Sequence, residues 1–74
     1  MTGLLKRSEK ENLPLEIIYL KRNGEFIHRV IVVKKIHPTH IQAFCLEKHQ
    51  FRTFKIERIL SALPYQSRKS HNVI

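Results

Sequence analysis

The sequence predicts a small all-β domain of five strands, and three observations point there. Asn23-Gly24 lies between two apolar runs, Leu13 to Arg22 and Glu25 to Ile36, and Asn-Gly in that setting is a strong hairpin signal because both residues tolerate positive φ. A second pair of alternating segments follows, His40 to about Glu47 and Phe51 to Ile56, joined by a tight loop at Lys48-His49-Gln50. Helical periodicity is poor throughout.

Residues 1–12 (MTGLLKRSEKEN) mix charges of both signs with no sustained period and are expected to be a flexible basic lead-in. The domain is expected over 13–64. A two-residue Asn-Gly loop would pair Arg22 with Glu25, Leu20 with Ile27, Ile18 with Arg29 and Ile17 with Val30. One face of the hairpin would then hold Leu15, Ile17, Tyr19, Phe26, Val30 and Val32, and the other Ile18, Leu20, Ile27, Ile31 and Val33. Two apolar faces are too many for a half-solvated hairpin, so a barrel wall or another chain should cover part of the second.

His37-Pro38-Thr39 breaks the run, because proline has no amide to donate to a ladder. With an even-length loop between the third and fourth strands, Ile41, Ala43 and Cys45 share a face with Arg52, Phe54 and Ile56; a three-residue loop would exchange the partners. Glu57-Arg58-Ile59 reads as one 3₁₀ turn, Leu60 to Pro64 as a short closing strand, and 65–74 as a flexible tail. The pattern as a whole fits a five-stranded barrel of Sm-like or SH3-like type.

A chain of 74 residues buries only about 60% of its unfolded surface and is marginal alone. Cys45 is the only cysteine, which fits a reducing, cytoplasmic setting and leaves no disulfide to compensate. Self-association into a homodimer through strand one or two is the expected remedy. No stretch approaches the roughly 18 apolar residues of a membrane span. Fourteen Lys and Arg against six Glu and no Asp give a net charge of +8, a field that draws nucleic acid, nucleotides and other anions.

Other chemistries find little support. His37, His40 and Cys45 match no zinc-finger spacing and lack a fourth ligand, so no metal is expected. Cys45 sits between Phe44 and Leu46 in an alternating strand, where burial raises a thiol pKa rather than activating it. The glutamates Glu16, Glu25, Glu47 and Glu57 are scattered, and the two glycines form no phosphate loop. No cofactor and no enzymatic activity are expected.

The stretch Gln42 to Ile59, QAFCLEKHQFRTFKIERI, resembles the WYL domain, a bacterial regulatory module. Ala43-Phe44-Cys45 stands for the A-Y-C part of that family's signature, and Arg52-Thr53-Phe54-Lys55-Ile56-Glu57-Arg58-Ile59 for its R-x-F-R-L-D-R-I part. Thr39-His40-Ile41 occupies the positions of the eponymous Trp-Tyr-Leu, so neither Trp nor Tyr is kept there. Tyr19, Gly24 and Arg29 also fall in the family's order. WYL regulators usually carry a helix-turn-helix domain; residues 1–12 are too short for one, and a stand-alone module is expected.

The resemblance implies that Lys48, Arg52 and Arg58 contact a nucleotide or nucleic-acid ligand; Arg52 and Arg58 are expected to anchor it, with Lys48 and Arg29 assisting. Lys48 stands where the family usually has Arg, keeping charge but losing a bidentate fork. Arg52 alternates with Phe54 and Ile56 and so points toward the core side, where it should meet Glu47, a carbonyl or an anionic ligand. The expected function is therefore a non-enzymatic regulatory module binding an anionic ligand. The alternative is an interaction subunit docking through its apolar hairpin face onto a larger regulator or enzyme.

Overall fold

The computed structural model describes residues 2–65: α1 (Thr2–Glu11), β1 (Leu15–Leu20), β2 (Phe26–Ile36), β3 (His40–Cys45), β4 (Gln50–Lys55), a 3₁₀ turn (Ile56–Arg58) and β5 (Ile59–Pro64). The strands form one antiparallel sheet in the order β4-β3-β2-β1-β5. Although β1 and β4 are separated by two strands in that order, Tyr19 and Phe54 meet edge to face at 5.0 Å. The sheet is therefore curled upon itself, and the Tyr19 hydroxyl accepts the Lys55 amide at 3.0 Å across the gap. This is the expected all-β, Sm-like arrangement.

Residues 2–11 correct the expected lead-in, for they form a helix that buries Leu5 and Ser8. One leucine and one serine, three positions apart, make the buried stripe of α1, too narrow a signal to show as periodicity. Its C-terminus is better marked. Asn12 adopts the left-handed conformation (φ 55°), and the Leu13 amide donates back to the Ser8 carbonyl at 3.2 Å, a Schellman closure after which Pro14 prevents continuation. Of the expected tail over 65–74, all but Tyr65 lies outside the described residues.

The hairpin is present, but its loop is longer by one residue than expected. Lys21 donates to the Glu25 carbonyl at 2.8 Å and Gly24 to the Lys21 carbonyl at 2.9 Å, so the loop is Arg22-Asn23-Gly24. A type I′ turn needs positive φ at both central residues; here Gly24 has it (φ 90°) and Asn23 does not. Asn23 instead accepts the Glu25 amide through its side-chain oxygen at 2.9 Å. The shift of one residue exchanges the faces of β2: Leu15 lies opposite Ile31, Ile17 opposite Arg29, and Tyr19 opposite Ile27.

Of the two alternatives for the β3–β4 loop, the pairing takes the even-length one. Ile41 faces Phe54, Ala43 faces Arg52 and Cys45 faces Gln50, leaving a four-residue loop, 46–49, in which His49 takes a left-handed conformation. Inside the curl, Leu5, Leu15, Ile17, Ile31, Val33, Ile41, Ala43, Phe54 and Ile59 form the core. Burying a Leu, Ile or Phe side chain contributes about 1.5–3 kcal/mol.

A bulge in β2 keeps this face continuous. Val33 pairs with Ala43, Lys35 with Gln42 and Ile36 with Ile41, so two lysines stand opposite one glutamine. Lys34 and Lys35 are both exposed, and Ile36 returns to the core side. β1 and β2 each have a strand on either side in the sheet. The free edges of the sheet belong to β4 and β5.

Candidate anionic-ligand site

The four expected basic residues stand on four different elements, and each is held differently. Arg52 faces Ala43, as its alternation with Phe54 and Ile56 requires, but β4 is an edge strand and the side chain is exposed. Its Nη2 donates to Gln50 Oε1 at 3.2 Å. Among the described residues no ion pair joins it to Glu47; the carboxylate pairs there are Arg7–Glu11, Lys21–Glu25 and His28–Glu16. Lys48 is exposed in the β3–β4 loop.

Arg29 is half-buried opposite Ile17, with Nη1 donating to the His28 carbonyl at 3.0 Å and Nε buried without a partner. The Leu46 amide bonds to the Val30 carbonyl, so Arg29 lies beside the loop that carries Lys48. Arg58, in the 3₁₀ turn, donates through Nη1 to the carbonyls of Leu20 and Lys21, both at 3.3 Å. It fastens the turn to the end of β1.

Arg52 lines a shallow depression of about 280 Å³ together with Lys34, Gln42, Phe51 and Thr53. None of the other three expected residues lines it. The elements explain the grouping: Gln42 and Thr53 are cross-strand partners on the outer face, and the β2 bulge brings Lys34 and Lys35 opposite Gln42. Lys34 Nζ is also bonded to Asn12 Oδ1 at 3.2 Å. No carboxylate lines the depression, so its lysine and arginine face no internal counter-charge there. Sequence reasoning missed Lys34, Gln42 and Phe51; the Lys34-Lys35 pair interrupting an alternating strand was the available sign of a bulge.

A second, broader groove of about 470 Å³ lies between Pro38-Thr39 and Lys55-Ile56-Glu57. Thr39 sits at its border, at the position matching the Trp of the WYL signature. The nearby His37 and His40 rings stack at 4.5 Å, and no group of three metal-binding side chains occurs among the described residues. Cys45 is fully buried. No helix there is long and apolar enough to cross a membrane.

Fold and site together define a small basic β-barrel module. No family model and no curated protein matches the chain. Among solved structures it is similar to the proteasome accessory factor B/C (PafBC) of Arthrobacter aurescens, with a TM-score of 0.73 and 20% identity, over 85% of this chain and 11% of that one. The chain thus corresponds to a small part of that protein. At this identity the likeness is one of fold, and the fold is WYL-like.

Proposed function

We propose that this protein is a non-enzymatic regulatory module that binds an anionic ligand, a nucleic acid or nucleotide, through Arg52 on the free edge of its sheet. The observation that carries this reading is the exposed Arg52 guanidinium, unpaired with any carboxylate among the described residues and grouped with Lys34 over one depression. Lys48 and Arg29 add positive charge about the β3–β4 loop, and Arg58 keeps guanidinium N–H groups beyond the one bonded to the Leu20 and Lys21 carbonyls. A net charge of +8 supplies long-range attraction. The WYL-like fold is consistent with a regulatory role.

The test is binding of labelled oligonucleotides and nucleotides at graded salt. Affinity should fall steeply between low and moderate ionic strength, and Arg52→Ala should weaken binding by about 1–3 kcal/mol and flatten the salt slope. A wild-type protein that binds none of these at low salt defeats the reading.

A second reading, docking onto a larger protein, draws on the exposure of Phe26 beside the hairpin loop and of Leu60 and Leu63 on β5. Such contacts should respond little to salt.

A further inference from the structure

The two edge strands of the sheet differ in chemistry. β4 exposes Phe51, yet it also presents Arg52 and Lys55, and cations at an edge repel a second strand of the same kind. β5 (ILSALP) carries no charged residue, and among the described residues β1 is its one neighbour in the sheet. Pro64 removes a single amide at the far end, opposite Leu15, and leaves the rest of the edge able to pair. The register of β5 shifts opposite Ile18 and Tyr19, which makes Leu60 the extra residue of a bulge. Leu60 and Leu63 are 49% and 62% exposed, whereas Ile59 is buried and Ala62 packs against the core. Two large apolar side chains thus stand on an uncharged strand edge that no described strand covers.

We propose that β5 is a self-association edge, which pairs antiparallel with β5 of a second copy of this chain to give a twofold dimer with one continuous sheet. The occupant follows from the strand itself. A partner strand must be extended, uncharged and short, and β5 meets its own requirement, because antiparallel pairing about a twofold axis is self-complementary. Charge favours this alignment over the alternative. Two β4 edges would bring Arg52 and Lys55 of one copy near those of the other, and like charges across a strand pair destabilise it. In the β5 pair, Glu57 and Arg58 at the start of the strand meet Pro64 and Tyr65 at its end, so no like charges are opposed. Arg58 is moreover turned back to the Leu20 and Lys21 carbonyls. Leu60 and Leu63 of each copy then lie against the other copy and lose surface that a chain of 74 residues cannot bury alone. β4, which carries Arg52, stays open in both copies, so the dimer stands apart from the anionic-ligand reading.

The experiment is sedimentation equilibrium of the full chain, freed of nucleic acid, over a range of protein and salt concentrations. Wild type is expected as a monomer–dimer equilibrium. Each copy carries a net charge of +8, so added salt should tighten the dimer by screening their repulsion. Leu63→Lys and Leu60→Lys each set a cation on the edge and remove two buried leucines per dimer. Either should raise the dissociation constant about a hundredfold. Phe26→Ser, comparably exposed but on β2, should dimerise as wild type does. Thermal melts establish that the variants fold, and the two leucines test the edge independently. A wild-type chain that stays monomeric throughout overturns the proposal. So does a dimer that both lysine variants leave intact, or one that Phe26→Ser abolishes. Growth beyond two copies also overturns it, since β5 would then pair with β4 in a head-to-tail array.

Discussion

The Ser8 hydroxyl accepts the Val33 amide at 2.9 Å and donates to the Leu13 carbonyl at 2.6 Å, so one fully buried side chain joins helix to sheet. β1 begins pairing with β2 at Leu15–Ile31, so the Val33 amide lies beyond the reach of that ladder. Replacing Ser8 with alanine strands a buried donor and a half-buried acceptor, which costs about 1–3 kcal/mol. Chemical denaturation of Ser8→Ala should show the loss, and hydrogen exchange at the Val33 amide should accelerate. A variant as stable as wild type would mean that α1 contributes nothing through this bond.

Gly24 offers a cleaner measurement. A Cβ placed there would meet no atom within 4 Å, yet φ is +90°. Gly24→Ala should therefore destabilise through the backbone alone, by about 1–2 kcal/mol. For a domain of this size that is a melting-temperature drop of several degrees. An unchanged melting temperature would show that the hairpin had moved to another loop type.

Arg52 and Arg58 should separate in their effects on stability. Arg52 is exposed and bonded only to a neighbouring glutamine side chain, so Arg52→Ala should leave the unfolding midpoint where it is. Arg58 holds the carbonyls of Leu20 and Lys21, and Arg58→Ala should cost about 1.5 kcal/mol, the low end for a charged donor. Parallel urea titrations of the two variants decide the matter; equal midpoints would dismiss a fastening role for Arg58.

The second strand pair was legible as two alternating segments but its register was not, because a three-residue loop would have exchanged the partners; the four-residue loop puts Ile41, Ala43 and Cys45 in phase with Phe54. The hairpin was half legible. Asn-Gly marks a turn, but Gly24 can serve as the left-handed residue of a three-residue loop equally well, and side-chain acceptance by Asn23 favours it. α1 escaped because its single buried turn contains one leucine and one serine. At the candidate site, alternation placed Arg52 correctly opposite Ala43 while missing its exposure, since alternation gives the face of a strand but not its place in the sheet. Phe51 read as an ordinary strand residue for the same reason.

The bulge at Lys34 and Lys35 makes this point of the chain tolerant of a change in length as well as in identity. Ile31 and Val33 are two apart and Ile36 follows after three, yet all three pack on the core side. Exchange of either lysine for another polar residue would leave that frame intact. Loss of either one would restore strict alternation, with a single lysine opposite Gln42 and Ile36 still paired with Ile41. A single-codon deletion there would thus remove the kink of the bulge and keep the core pairing on either side of it.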